Sequence, residues 1–197
     1  MVGHSSLEAV IGVRIPAPQH TFMKKLNAQQ LRESNPSDKE IEKIDRNPVY
    51  LVLDRIIDTY NIGSLYRLAD AIGAEKMYLC GDMEYPPNTR IHRAAVGTEN
   101  WVPWEKAPST LETVKKLKNE GVQIIVVEQS QKSISYENLK PEFPCAVVIG
   151  NEMGGIEKKI LDEADVVAEL PMHGINKSFN VWGSAAVVAY KILEKLD

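Results

Sequence analysis

Three short polar clusters, far apart in the sequence, carry residue types that could bind and orient a ligand. They are Asn61 with Arg67, the turn Gly150-Asn151-Glu152, and the run Ser178-Phe179-Asn180. Each cluster lies where an apolar, strand-like run meets a loop or a helix, which is where open α/β sheets place their ligand sites. Taken singly, the same side chains could also cap helices or lie on a solvated helix face.

The glycine-rich turn at residues 150–155 is typical of a nucleotide-like ligand site. It contains three glycines in six residues directly after an apolar strand. Glycine permits positive φ angles and a close approach of the main chain to a ligand, although the same composition also suits a tight turn. The dinucleotide fingerprint G-x-G-x-x-G and the P-loop pattern are both absent. We therefore disfavour an ordinary Rossmann cofactor site and a nucleoside triphosphatase.

The elements that must position these clusters are apolar runs that alternate with helical patterns from residue 48 onward. The runs are mostly continuous, as in parallel strands that are covered on both faces. Apolar residues recur at helical spacing within 62–72 and 181–192, and Ser109 with Glu112 predicts a third helix that ends near Gly121. The pattern predicts an α/β domain with a parallel sheet flanked by helices. The predicted strands are 49–53, 76–80, 123–127, 145–149 and 166–170.

Residues 1–47 differ from the rest and are predicted to form an N-terminal arm, followed by one domain over 48–197. Prolines interrupt the early apolar stretch, and charges of both signs are mixed after it. Ser37 and Glu40 form a capping box for a short helix that ends near Ile44. The chain of 197 residues, 44% apolar, suits one globular domain with an appended arm.

Charge and hydropathy restrict the partners and the compartment. A net charge of −4 argues against nonspecific coating of nucleic acid but leaves room for one basic face. We expect no membrane span, since no apolar run approaches the ~20 residues required, and we expect a cytoplasmic protein. Cys80 and Cys145 lie in strand-like runs and are expected to be buried thiols, without a disulfide or a metal site. The cations that could form such a face and contact nucleic acid include Lys24, Lys25, Arg90 and Arg93.

Taken together, the clusters resemble the three motifs of the SpoU (TrmH-like) branch of the SPOUT RNA methyltransferases. The matching segments, in order, are NIGSLYRLA at 61–69, VIGNEMGGI at 148–156, and LPMHG at 170–174 with SFNV at 178–181. Residues 94–99 are similar to a further family segment that follows the second strand. The resemblance covers roughly residues 48–196. One departure is Trp182, an aromatic residue where many relatives have serine, which could pack against the arm or a partner or stack on a base.

The resemblance implies a C-terminal deep trefoil knot (the SPOUT fold) and a homodimer whose site is completed across the interface. It also implies transfer of a methyl group from S-adenosylmethionine to a ribose 2′-hydroxyl of RNA. We expect a structured RNA as the target, with tRNA favoured over rRNA. The chain has no dedicated recognition domain, so we expect the four cations named above to supply the phosphate contacts. The expected cofactor-binding residues are Gly150, Leu170, Phe179 and, as a weaker candidate, Glu128. The expected catalytic residues are Asn61, Arg67, Glu152, Ser178 and Asn180.

Two roles and two rival functions stay open at this point. Arg67 matches the family arginine that is proposed to activate the hydroxyl. A guanidinium is always protonated, so a clamp on phosphate or on a developing oxyanion is the easier role. The main rival function is a noncatalytic RNA-binding or assembly protein that kept the fold. A dinucleotide-dependent oxidoreductase is a weaker rival, because the fingerprint is absent.

Overall fold

A computed structural model describes residues 36–196. The helices in this range are α1 (Asp38–Ile41), α2 (Thr59–Ala71), α3 (Thr89–Ala95), α4 (Thr110–Asn119), α5 (Lys158–Leu161) and α6 (Val181–Leu193). The strands are β1 (Asn47–Asp54), β2 (Ala74–Cys80), β3 (Trp104–Ala107), β4 (Gln123–Val127), β5 (Ile134–Ser135), β6 (Cys145–Ile149) and β7 (Val166–Glu169). Two single-turn 3₁₀ helices lie at Thr98–Asn100 and Tyr136–Asn138.

The seven strands form one sheet in the order β3-β2-β1-β6-β4-β7-β5, and every pairing is parallel. Strand β6 lies between β1 and β4, where Val148 is in register with both Val52 and Val126. The carboxyl ends of β6, β4 and β7 are therefore neighbours at one edge of the sheet. The predicted α/β class and all five predicted strands are confirmed.

The two strands missing from the prediction are β3 and β5, which have four and two residues. Strand β3 has exposed charged residues at Glu105 and Lys106, and β5 ends the sheet. A partly solvated strand has no continuous apolar run. The pattern that identifies buried strands therefore does not predict it.

Two cores cover the two faces of the sheet. On β1, Leu51 and Leu53 pack with α2, α3 and α6, whereas Val52 packs on the opposite face with α4 and α5. This alternation follows from the two-residue period of a strand, because successive side chains point to opposite faces. Layers on both sides explain why the strands are apolar at nearly every position.

Helix α2 carries the first polar cluster and packs closely against α3. Asp58 caps it by accepting a hydrogen bond from the Tyr60 amide at 2.9 Å, so Asn61 lies inside the helix and does not cap it. Gly73 follows the helix with φ +57°, the left-handed conformation in which glycine commonly ends a helix. A Cβ on Gly63 would stand 2.5 Å from the Ala94 Cβ. The two helices can approach this closely because the position has no side chain.

Several other expectations can be compared with residues 36–196. The Ser37–Glu40 capping box is present, but α1 ends at Ile41, earlier than predicted. Cys80 and Cys145 are buried and free, and burial raises the pKa of Cys80 to about 11. No helix in this range is long and apolar enough to cross a bilayer. The knot stays a prediction from the family resemblance.

Candidate active site

A cavity of about 360 Å³ opens at the carboxyl ends of β4, β6 and β7. Its walls come from the loops that follow these three strands and from the first turn of α6. All four residues that the family resemblance assigned to the cofactor lie on these walls, together with two of the expected catalytic residues. They are Glu128, Gly150, Leu170 and Phe179, and Glu152 and Ser178.

Asn151 organises the glycine-rich turn. Its side-chain oxygen accepts hydrogen bonds from the amides of Met153 at 2.9 Å and Gly154 at 2.8 Å. Its side-chain nitrogen donates to the carbonyl of Arg55 at 2.7 Å, which ties the turn to the end of β1. Of the three glycines in the turn, only Gly155 has a positive φ, +60°. The turn is thus held by one asparagine that the motif contains but that was not among the expected site residues.

Glu128, at the end of β4, closes the turn from the other side. One carboxylate oxygen accepts a hydrogen bond from the Ile156 amide at 3.0 Å, and the other accepts from the Gln129 amide at 2.9 Å. A Cβ on Gly155 would stand 2.5 Å from this carboxylate. The positive φ therefore favours glycine at position 155, and a side chain there would also displace the Glu128 carboxylate. Glu128 is a wall residue of the cavity whose carboxylate is already fixed by main-chain donors.

Glu152 links the turn to the start of α2. Its carboxylate accepts hydrogen bonds from the amides of Ile57 at 2.8 Å and Asp58 at 3.1 Å, and from the side-chain nitrogen of Asn61 at 2.8 Å. Partial burial raises the pKa of Glu152, but these hydrogen bonds outweigh it and hold the pKa below its usual value. Glu152 is therefore an ionised anchor between two distant motifs.

Asn61 stands at the centre of the polar cluster and is buried. Its nitrogen donates to Glu152, and its oxygen accepts from the side-chain nitrogen of Asn180 at 3.2 Å. Asn180 has its own oxygen committed to the amide of Trp182 at 3.0 Å, where it caps α6. Each amide can satisfy its partners in only one orientation. Three predicted residues from three distant motifs thus form one ordered hydrogen-bonded chain.

The segment before α6 presents the other expected residues to solvent and to the cavity. Ser178 is exposed and has no hydrogen-bond partner within residues 36–196. Phe179 is 57% exposed, and its ring covers Gly183, where a Cβ would stand 2.6 Å from the ring. Trp182 is 42% exposed on the first turn of α6. The wall above the cavity is therefore apolar and partly uncovered.

Arg67 is not joined to this cluster within the described part of one chain. It lies six residues after Asn61 on α2, which places it about 9 Å along the axis and roughly 240° around it. Its side chain is exposed and makes no hydrogen bond or ion pair with another residue in the range 36–196. Within the described part of one chain, the side chains of Asn61, Glu152, Ser178 and Asn180 therefore form no hydrogen bond with Arg67.

The expected RNA-contacting cations divide between two regions. Arg90 and Arg93 are exposed on α3, outside the cavity. Lys24 and Lys25 lie outside the described residues.

No group of three or more His, Cys, Asp and Glu side chains suited to a metal ion occurs within residues 36–196.

Sequence reasoning did not identify several cavity residues. Gln129 follows Glu128 and donates to the carbonyl of Lys177 at 2.7 Å, which ties the loop after β4 to the loop before α6. Met172 and Ser184 also line the cavity. A usable signal was present for Gln129, since it directly follows a predicted strand end. Ser184 has no comparable signal, because its place on the cavity depends on how α6 is packed.

Comparison with known proteins identifies the family. The model of the SpoU rRNA Methylase family matches residues 48–190. A 23S rRNA (guanosine-2′-O-)-methyltransferase RlmB of Neisseria meningitidis is 31% identical over 148 residues, covering 75% of this chain and 59% of the relative. A tRNA (guanosine(18)-2′-O)-methyltransferase of Borreliella burgdorferi is 24% identical over 158 residues, covering 80% and 72%. The chain thus spans less than two thirds of one of these relatives.

Superposition on a solved structure supports the same family assignment. The crystal structure of an AdoMet-bound rRNA methyltransferase from Sinorhizobium meliloti superposes with a TM-score of 0.72 at 25% identity, covering 85% of this chain and 60% of that one. The family model spans most of the chain and includes all three polar clusters. The chain belongs to the SpoU rRNA Methylase family.

Proposed function

We propose that the protein transfers a methyl group from S-adenosylmethionine to a ribose 2′-hydroxyl of a structured RNA. Methyl transfer to RNA is the activity of the family to which the chain belongs. The observation that carries the finer proposal is the chain Glu152–Asn61–Asn180, which lies beside the cavity. Three polar groups from distant motifs are ordered at one place, as positioning of a small polar acceptor group requires.

The cavity suits S-adenosylmethionine in size and lining. Its volume of about 360 Å³ lies in the range of small-molecule sites. Ile149, Leu170 and Phe179 provide apolar surface for a flat base, and the loops after β4, β6 and β7 bring main-chain polar groups to the walls. Glu128 and Glu169 add negative charge that complements a sulfonium and an ammonium group. Gly150 lies at the end of β6, where a Cβ would stand 2.8 Å from the Ile156 side chain, so glycine permits the close packing of the turn that forms this wall.

The residues of the chain then have to align the ribose oxygen and assist loss of its proton. S-adenosylmethionine supplies a methyl group that is already activated by the sulfonium. In this proposal the ribose is oriented by Ser178, which is exposed at the mouth of the cavity, and by Asn180 with Asn61 beside the cavity. Glu152 keeps these amides in one orientation. An arginine near the acceptor would hold the adjacent phosphate and the developing oxyanion.

We assign that arginine to Arg67 of a second copy of the chain in a homodimer. Arg67 faces solvent within one chain, and large apolar side chains are exposed around the site. A second copy would cover this apolar surface and could deliver its own Arg67 to the polar cluster. These exposed side chains are Ile57, Tyr60, Met153, Ile175, Phe179 and Trp182.

Mixing two inactive variants tests this arrangement directly. Arg67→Ala alone should lower the rate more than a hundredfold, since about 3 kcal/mol of transition-state stabilisation is lost, and should leave cofactor affinity unchanged. Asn180→Ala should also be inactive. If Arg67 acts across the interface, each mixed dimer keeps one intact site, and random mixing restores roughly a quarter of the wild-type rate. No recovery, with mixed dimers verified by mass spectrometry, would place Arg67 in its own chain's site or outside catalysis.

The target is a structured RNA, and we favour tRNA over rRNA. The chain spans 72% of the tRNA-modifying relative but only 59% of the rRNA-modifying one. Lys24, Lys25, Arg90 and Arg93 would supply phosphate contacts across the dimer, so recognition would depend on shape and would weaken with salt. Incubation with labelled S-adenosylmethionine and bulk RNA, followed by mapping of the methylated nucleotide, tests the reaction and identifies the target. RNA binding without methylation would favour the noncatalytic alternative.

A further inference from the structure

A second cavity, of about 610 Å³, lies between the loop after β2, helix α3 and the beginning of β3. It shares no lining residue with the candidate active site. Its volume is that of a small-molecule or nucleotide site. One wall is apolar and is formed by Pro86, Pro87 and Trp104, and the other carries the polar side chains of Thr89, His92 and Asn100.

His92 is held in one orientation by Glu99. The Nδ1 atom lies 2.5 Å from a carboxylate oxygen of Glu99, whose side chain is 6% exposed, whereas the His92 side chain is 43% exposed. A carboxylate accepts hydrogen bonds, so Nδ1 carries the proton and Nε2 remains available for a ligand. A buried carboxylate that fixes an exposed imidazole is an arrangement typical of functional histidines.

The buried position of the Glu99 carboxylate destabilises the fold. Its second oxygen and the hydroxyl of Tyr66 are both buried and have no hydrogen-bond partner within residues 36–196. Burial, together with the Glu99 carboxylate, raises the pKa of Tyr66 well above its usual value, so the phenol stays neutral. Unpaired buried polar atoms destabilise a protein. Packing alone does not account for a carboxylate here, whereas the orientation of His92 does.

The cavity offers unsatisfied polar groups beside an aromatic wall and cationic side chains. The Thr89 hydroxyl and the Asn100 amide have no side-chain hydrogen bond in the described part of the chain, and both residues are exposed. Arg90 and Arg93 are exposed on the same helix as His92. Unpaired bases in RNA loops are bound in this way, with the ring against an aromatic side chain, the edge on polar groups and the phosphate on arginine.

We propose that this cavity binds a nucleotide of the RNA substrate other than the one that is methylated. The base lies along Trp104 and the proline wall, and His92 and Asn100 contact its edge. Glu99 is a positioning residue that acts through His92. This inference rests on the proposed function for its RNA ligand, but it concerns a separate site and predicts separate effects.

The experiment is a coupling measurement between protein and RNA variants. Asn100→Ala and His92→Ala should each weaken RNA binding by about tenfold, as loss of one hydrogen bond to a base predicts, and leave cofactor affinity unchanged. Asn119→Ala, another exposed asparagine at the end of α4, is the matched control and should bind RNA normally. Glu99→Gln should weaken binding only when His92 is present.

Single-nucleotide substitutions in an RNA that the wild-type protein binds complete the test. One nucleotide, distinct from the methylated one, should lose its contribution to binding in the His92→Ala background. Strict additivity at every nucleotide, or unchanged binding in both variants, would overturn the proposal. Binding is measured without S-adenosylmethionine, so an RNA that binds to this cavity without being methylated would refute the proposed function and not this inference. Absence of RNA binding by the wild-type protein would refute both.

Discussion

The side-chain nitrogen of Asn61 donates a 2.8 Å hydrogen bond to Glu152, which lies 91 residues further along the chain. This contact joins the first turn of α2 to the glycine-rich turn after β6. Because Glu152 also accepts from the amides of Ile57 and Asp58, it fixes the start of the helix and the wall of the cavity together. A change at either residue should therefore affect both stability and the site.

Replacement of Glu152 by glutamine should destabilise the protein and reduce methyl transfer. Glutamine has one acceptor oxygen and would turn an NH₂ group toward donors, so the free energy of unfolding should fall by about 1–3 kcal/mol. Denaturant titration measures the loss. Glu142→Gln, an exposed glutamate whose side chain makes no hydrogen bond in the described range, is the control and should unfold like the wild type. Equal midpoints for the two variants would contradict the anchoring role.

The depressed pKa of Glu152 predicts a specific pH dependence of stability. A carboxylate with a lowered folded pKa contributes stability that is fully present above its ordinary value of 4.5 and is lost as pH falls through the folded value. Stability of the wild type should therefore decrease below about pH 4.5 more steeply than that of Glu152→Gln. Thermal midpoints from pH 6 to pH 3, on the order of one reading per half unit, give the two slopes. Parallel curves would show that Glu152 is not responsible.

Gly63→Ala should separate α2 from α3. The added Cβ would stand 2.5 Å from the Ala94 Cβ and 2.6 Å from the Ile91 carbonyl oxygen, and neither can move without a helix shift. Overpacking of this kind costs about 1–3 kcal/mol of unfolding free energy. Gly174→Ala is the matched control, because a Cβ there meets no atom within 4 Å. If both variants retain wild-type stability, the helix crossing tolerates more separation than its geometry indicates.

Gly183→Ala should weaken cofactor binding with little loss of stability. The new methyl would stand 2.6 Å from the Phe179 ring, which is the end of a flexible side chain and can rotate away. Because Phe179 lines the cavity, we expect about tenfold weaker binding of S-adenosylmethionine by calorimetry. In a Phe179→Ala background the same glycine substitution should have no further effect. A further, full loss in that background would mean that Gly183 acts independently of the ring.

Charge reversal at Arg90 and Arg93 should raise the Michaelis constant for RNA and reduce its dependence on salt. Each lost phosphate contact lowers the slope of log K against log salt by roughly one. Cofactor affinity should not change, since neither residue lines the candidate active site. Lys115→Glu on α4, on the opposite face of the sheet, serves as the control. An equal effect from this control would indicate a general charge effect and not a basic RNA-binding face.

The sequence predicted the strands that are buried on both faces. Continuous apolar runs such as 145–149 are typical of parallel strands that are covered by helices on both sides. The family resemblance also pointed to residues that line the cavity, because its motifs lie on the loops after these strands; their role in cofactor binding stays a prediction. The sequence did not predict that Asn61 lies inside α2, because the competing cap, Asp58, became recognisable only through its hydrogen bond to Tyr60. The second cavity was also missed, since His92 lies on α3 and Trp104 on β3, and their relative placement depends on how the two elements pack.

The central position of β6 also constrains how a nascent chain can fold. Strand β1 pairs with β2 and β6, and β4 pairs only with β6 and β7. Before residues 145–149 have left the ribosome, β1 has an open apolar edge and β4 has no partner strand at all. Open edges of this kind invite association between chains, and pairings between distant segments form slowly. During this interval most of the protein has been synthesised, but β1 and β4 cannot yet be joined through β6. This is therefore the period when the chain most requires a chaperone.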